Sequence, residues 1–206
     1  DRFPNGLKAI SDYVHERNMG LIVWFEPESA YPWSITARNN PQAMLKSMPP
    51  EPYGLELLYL GDLKAREWIT NHIDTIIRDE GVDFYRQDMN LSPLSYWRGS
   101  DAPNRLGIHE NLHVQGYLAF WDELLRRHPG MPIDSCAGGG RRNDIETLRR
   151  AIPLLRSDYQ DFQGHPQWAI GNQGHTYGIA SWIPYFGTGV YYNPQQTIYS
   201  VRSYMT

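Results

Sequence analysis

Gly20-Leu21-Ile22-Val23-Trp24-Phe25-Glu26-Pro27-Glu28 is the stretch on which the fold turns. An uninterrupted apolar run ends abruptly at a carboxylate, a proline and a second carboxylate. A run of this kind reads as a strand covered on both faces, as in a parallel sheet flanked by helices. Before it, Gly6 to Asn18 carries Leu7, Ile10, Tyr13 and Val14 at helical spacing, and Met19-Gly20 closes that helix. After it the alternation repeats. Leu63 to Glu80 is a helix with Leu63, Trp68, Ile69, Ile73, Ile76 and Ile77 along one side, and Gly81 to Tyr85 is a strand ending at Arg86-Gln87-Asp88. Glu110 to His128 is a helix with Val114, Tyr117, Leu118, Trp121, Leu124 and Leu125 inward. Pro132 to Cys136 is a short strand stopped by Ala137 and three glycines, Asp144 to Ala151 a helix, and Pro153 to Arg156 a short strand before Ser157-Asp158. Leu55 to Leu60 reads as extended, Gly189 to Tyr192 as a further strand, and the region from Ser157 on otherwise as Gly-, Tyr- and Trp-rich loops.

Helix, then strand and helix in repetition, implies parallel strands with right-handed crossovers. Charged residues fall where strands end: Glu26 and Glu28, Asp88, Arg141, Asp158. In a β/α barrel that edge carries the active site. A dinucleotide-binding sheet would need a Gly-rich turn after its first strand, and neither G-x-G-x-x-G nor a Walker A sequence occurs. The fold expected is therefore α/β, a (β/α)8 TIM-type barrel, incomplete because the first strands are missing. Residues 29–62 lack clear periodicity and read as a functional excursion over the barrel mouth. All 206 residues read as one partial barrel domain, cut from a longer protein: the first residue is Asp, and the last ones end without a Gly or Pro terminator.

Composition narrows the function. With 41% hydrophobic and 20% charged residues the chain is globular. A net charge of −4 leaves no basic footprint for nucleic acid, and no apolar run is long enough to span a bilayer. One cysteine excludes a disulfide framework within the chain, and with no signal sequence in view this fits the cytoplasm. Seven Trp and fourteen Tyr suit a site that grips a flat, polar ligand.

Three constellations stand out. His109-Glu110-Asn111-Leu112-His113 is a literal H-E-x-x-H, which on a helix can bind zinc. Here it falls at a helix start, where Glu110 suits the positive end, and Ala119 stands where a third histidine would extend the motif. It reads as chance, and no metal or other cofactor is expected. The second constellation is Asp88 and Asp158, which end different strands, each preceded at two residues by an arginine, Arg86 or Arg156. Two carboxylates converging over a barrel mouth are the equipment of glycoside hydrolysis. One must stay ionised, which Arg86 would favour at Asp88. The other must hold a proton, which Asp161 and the aromatics Trp168 and Trp182 would favour at Asp158. The third is Ser135-Cys136-Ala137-Gly138-Gly139-Gly140-Arg141, where glycines let backbone approach a ligand closely and Cys136 lines a pocket rather than attacking.

Phe3-Pro4-Asn5-Gly6-Leu7, Trp24 to Glu28, Tyr85-Arg86-Gln87-Asp88-Met89-Asn90, Cys136 with its glycines and Arg141, and Arg156-Ser157-Asp158 occur in that order. Together they resemble glycoside hydrolase family 36, the microbial α-galactosidases, over most of residues 1–190. The resemblance implies a (β/α)8 barrel and retaining hydrolysis of terminal α-galactosides of the raffinose and melibiose type. It makes Asp88 the nucleophile and Asp158 the acid/base, and it implies flanking β-sandwich domains outside this chain. It assigns substrate contacts to Trp24, Glu26, Arg86, Asn90, Cys136, Gly139, Arg141 and Arg156. Two departures matter. The family commonly reads K-W-D at the nucleophile strand, where this chain has Arg86-Gln87-Asp88, and an arginine it often supplies between the Trp24 and Asp88 strands has no counterpart in Tyr53 to Leu60. Galactosyl transfer, an N-acetylgalactosaminide substrate, or an inactive carbohydrate-binding fragment would use the same residues. The expected partner is an α-galactoside oligosaccharide, without nucleic acid or membrane. A homo-oligomer of the full-length protein is allowed but not required by anything in the sequence.

Overall fold

The computed structural model describes residues 3–155, 157–161, 167–183 and 198–203. Arg156 and the strand expected at Gly189 to Tyr192 lie outside the described residues, as does the side chain of Asp161. The chain divides into two compact units, residues 1–132 and 133–206.

In the first unit, α1 (Lys8–His15) leads to β1 (Ile22–Phe25). Next come β2 (Ser29–Ala30), α2 (Ile35–Asn39), β3 (Met44–Leu45) and β4 (Glu56–Leu58). α3 (Leu63–Glu80), β5 (Phe84–Gln87), α4 (Leu94–Ser100) and α5 (Ile108–Arg127) complete it. β1 pairs in parallel with β5, with Trp24 opposite Arg86 and Phe25 opposite Gln87. α3 is the crossover between them, starting at Asp62, whose carboxylate accepts from Ala65 N–H, and stopping at Gly81.

Several packing faces differ from those the spacing suggests. β1 is not covered on both faces: Ile22 and Trp24 are 46% and 60% exposed. On α1 the buried residue is Ser11, while Ile10 and Tyr13 face solvent. α3 buries Ala65, Ile69, Thr70, Ile73 and Ile77, and Leu63 is exposed. On α5 the buried stripe is His113, Gly116, Tyr117, Phe120, Trp121 and Leu124, with Val114 outside. The reason lies at Gly116. A Cβ there would sit 1.9 Å from Leu60 O, so the helix turns its glycine onto that backbone and carries His113 and Phe120 inward with it.

Residues 29–62, the functional excursion read from the sequence, carry a small sheet of their own. β2 and β3 flank β4 in an antiparallel sheet, Ser29 opposite Leu57 and Met44 opposite Leu58. The extended Leu55–Leu60 run is thus a strand, but an antiparallel one outside the β1–β5 pair. Strands of two or three residues are too short to show a period.

The second unit opens with β6 (Ile133–Ser135), wholly buried. It pairs in parallel at Ile152, where Ser135 N–H donates to Ile152 O at 3.1 Å and Ile152 N–H to Ile133 O at 2.8 Å. α6 (Ile145–Leu148) is capped by Asp144, which accepts from Thr147 N–H and Oγ1. A 3-10 turn at Asp158–Asp161 precedes α7 (Trp168–Ala180), and α8 (Ile198–Arg202) follows. α7 corrects the expectation of an aromatic loop. Trp168 is buried at its first turn, and Trp182, just past its end, is 81% exposed, so Trp182 does not bury anything near Asp158.

Candidate functional site

In the first unit the site grows from the parallel pairing of β1 and β5. Asp88 N–H donates to Phe25 O at 2.9 Å, which extends the pairing one residue past β5 and brings Asp88 beside Glu26. Asp88 is 3% exposed. Its Oδ1 accepts from Met89 N–H at 2.7 Å and its Oδ2 from the Asn90 side-chain amide at 2.9 Å. Asn90 is itself braced by Glu26: Oε1 accepts from Asn90 N–H at 2.9 Å and Oε2 from Asn90 Nδ2 at 3.2 Å. Ser29 Oγ donates to Glu26 Oε1 at 2.7 Å. The register that sets Trp24 opposite Arg86 also lays the Arg86 guanidinium over the Trp24 ring, 5.1 Å from its centroid.

Glu26 and Asn90 also form part of the wall of a cavity of about 610 Å³, otherwise lined mainly by Ser47, Pro49–Pro52, Tyr53, Leu55, Ser95 and Tyr96. The segment without periodicity therefore builds most of a ligand-sized hollow at the end of β1.

Beneath this surface lies a polar network that the sequence did not announce. Glu28, Gln87 and His113 are all buried, Glu28 and Gln87 with no exposed surface at all. Gln87 Nε2 donates to Glu28 Oε1 at 2.7 Å, and His113 Nε2 pairs with Glu28 Oε2 at 2.8 Å. Trp121 Nε1 and Tyr85 Oη each donate to Gln87 Oε1 at 2.7 Å. The H-E-x-x-H histidines thus serve separate ends. His113 faces Glu28, whereas His109 Nδ1 lies 2.7 Å from Asp101 Oδ1. Asp101 also accepts from Gly107 and His109 N–H. The Gly107 N–H, opposed by desolvation and aided by His109, holds its carboxyl below the usual range. The signal available in the sequence was Gln87 itself, a polar residue alternating with Arg86 and Asp88 and so pointing into the core.

The second unit carries the other candidates. Cys136 is buried. Arg141 Nε donates to Ala137 O at 2.8 Å, folding the side chain back over its own turn. Gly139 has φ +81°, and a Cβ there would lie 2.7 Å from Asp158 N and 3.3 Å from Asp158 Oδ1. The glycine turn and Asp158 are therefore neighbours, brought together because Gly139 has no side chain.

Among the described residues no helix is long and apolar enough to cross a membrane, and no group of three or more His, Cys, Asp or Glu could hold a metal. The sequence is 32% identical over 164 residues to the α-galactosidase Mel36A of Lactobacillus acidophilus, covering 78% of this chain and 22% of that protein. It is 29% identical over 164 residues to an Escherichia coli α-galactosidase, with the same coverage. The chain thus spans about a fifth of the length of these relatives. In structure it matches the GH36 α-galactosidase AgaA of Geobacillus stearothermophilus with a TM-score of 0.77 at 22% identity, over 98% of this chain and 29% of that one. A variant of AgaA solved with raffinose gives 0.78 at the same identity and coverage. The fold is accordingly that of the TIM-barrel α-galactosidases. The melibiase profile matches residues 1–165, four-fifths of the chain, and the chain belongs to the melibiase family, glycoside hydrolase family 36.

Proposed function

We propose that the chain is part of the catalytic β/α barrel of a retaining α-galactosidase, with Asp88 as nucleophile and Asp158 as acid/base. The rest of the barrel and the flanking β-sandwich domains lie outside these 206 residues. The exposed Ile22 and Trp24 on β1 fit a strand whose surroundings are not all in this chain. The observation that carries the reading is the setting of Asp88: it ends a strand in a parallel pair, and both its oxygens accept hydrogen bonds. That is how a carboxylate is held when it is to attack through one oxygen without rotating.

Asp88 attacks the anomeric carbon of a terminal α-galactoside while Asp158 gives a proton to the departing glycosidic oxygen. Asp158 then takes a proton from water, which displaces Asp88 from the β-linked galactosyl ester and releases α-galactose. By the motifs they share with the family, Trp24, Glu26, Arg86, Asn90, Cys136, Gly139, Arg141 and Arg156 contact the sugar. The cavity beside Asn90 takes the remainder of a raffinose-type oligosaccharide. The activity test is hydrolysis of 4-nitrophenyl α-galactoside by the full-length protein, with the product followed by proton NMR. The α-anomer should appear first. First appearance of the β-anomer, or turnover of the N-acetylgalactosaminide alone, overturns the reading.

A further inference from the structure

The buried network under Asp88 has a fixed direction, because it ends in groups that can only donate. The indole Nε1–H of Trp121 has no acceptor capacity, so Gln87 Oε1 is an acceptor and Gln87 Nε2 is the donor toward Glu28 Oε1. At the other end Leu60 N–H, again a donor only, faces His113 Nδ1 at 3.4 Å. His113 Nδ1 is therefore bare, its Nε2 carries the proton, and Glu28 Oε2 accepts it. Both chains of donors converge on Glu28, which accepts on each oxygen.

We infer that Glu28 is a positioning residue for Asp88, acting through Gln87, in a network whose donor–acceptor polarity admits only an acceptor at Glu28. Side chains alternate along a strand, so pinning Gln87 into the core directs its neighbour Asp88 to the opposite side. Glu28, Gln87, His113, Tyr85 and Trp121 are among the most deeply buried residues of the unit, so none can be relieved by water. This inference rests on the α-galactosidase reading for its catalytic consequence, but the polarity of the network stands without it.

The polarity makes an isosteric change severe. Glu28→Gln puts an amide donor against either Gln87 Nε2 or the His113 Nε2 proton. Turning Gln87 over sets its amide against the Trp121 indole N–H, which can only donate. Moving the His113 proton to Nδ1 sets it against Leu60 N–H. Every rearrangement leaves two donors facing each other in a dry site. Gln87→Glu can keep these pairs only by holding a proton in the core, because two carboxylates would otherwise meet. The exchange Glu28→Gln with Gln87→Glu restores each of the pairs named above. The new glutamate accepts from Trp121, Tyr85 and the new amide, and the new glutamine accepts from His113.

The test is this exchange in the full-length protein, with kcat, KM and thermal unfolding measured on 4-nitrophenyl α-galactoside. For Glu28→Gln, kcat should fall about 10²-fold with KM within a few-fold, the mark of a misplaced reacting group. The unfolding midpoint should fall as well. The exchanged double variant should unfold at a higher temperature and turn over faster than either single variant. If the single variants yield no folded protein, a folded double variant still supports the polarity. A double variant no more stable than the worse single one overturns the network. A folded Glu28→Gln protein with undiminished kcat overturns the positioning role. A wild-type protein without α-galactosidase activity, combined with a stability rescue, removes the catalytic role and the functional reading while leaving the network in place.

Discussion

Two aspartates end two parts of this molecule, and the settings described for them differ. Asp88 is held through its carboxylate. Asn90 and Met89 N–H grip its oxygens, Glu26 braces Asn90, and a buried chain from Glu28 to Trp121 anchors the residue before it. Asp158 lies against a residue without a side chain: its backbone nitrogen occupies the space that a Cβ on residue 139 would take. The contrast suits the two roles proposed above. A nucleophile must keep one oxygen aimed at carbon, which needs donors on its carboxylate. An acid/base must gain and lose a proton, and the close approach of the Gly139 backbone sets where the Asp158 carboxyl would do so.

The contrast breaks most visibly with the two aspartates themselves. Asp88→Gly should lower turnover of every α-galactoside by about 10⁴-fold or more, since no covalent intermediate can form. Azide should then attack the substrate directly and give the β-galactosyl azide. Asp158→Ala should lose about 10²- to 10⁴-fold on substrates with poor leaving groups and far less on nitrophenyl substrates. Azide should speed its second step and give the α-galactosyl azide. The product configurations, read by NMR, assign the roles, and an exchange of the two azides between the variants would exchange the roles.

Gly139→Ala sharpens the backbone half of the comparison. The left-handed φ costs an alanine about 1–2 kcal/mol, and the Cβ would press on Asp158 N. Activity should fall about 10- to 100-fold through displacement of Asp158. The loss should be larger for poor leaving groups than for nitrophenyl substrates, and an equal loss on both would show that Asp158 had not moved.

The smallest effect separates structural carboxylates from catalytic ones. Asp101 caps the approach to α5 with its ionisation eased by Gly107 N–H and His109. Its pKa is lower in the folded state than in the unfolded one, at about 4. It therefore contributes stability in full above about pH 4, which is lost as pH falls through the lowered folded value. Asp101→Asn should reduce the thermal midpoint at neutral pH by a few degrees. The gap to wild type should close on acidification, while the pH profile of kcat stays in place. A gap that widens toward acid would contradict the assignment.

How much of this was legible in the sequence depends on the length over which a signal repeats. α3 was readable from end to end because eighteen residues carry its stripe between Asp62 and Gly81. The strand ends at Glu26 and Asp88 were readable because apolar runs stop there. The antiparallel sheet of β2, β3 and β4 was not, because its strands are shorter than the two or three alternations that reveal a period. α7 was hidden by Gly171, Gly174 and Gly178, which lower helix propensity where tertiary packing on Trp168, Asn172 and Thr176 supplies the stability instead.

By itself the sequence determined the alternation of the longer helices with β1, β5 and β6, the residues at those strand ends, and the family whose motifs they spell. These are local or linear properties, carried by spacing and residue type. Only the tertiary structure decided what those residues do to one another. It turned α5 so that Gly116 meets Leu60 and His113 meets Glu28. It made Gln87, a departure from the family pattern, the hub between Trp121 and Glu28. The physical reason is that hydrogen-bond direction and close packing are pairwise conditions between groups as many as 85 positions apart, and no pattern along the chain records them.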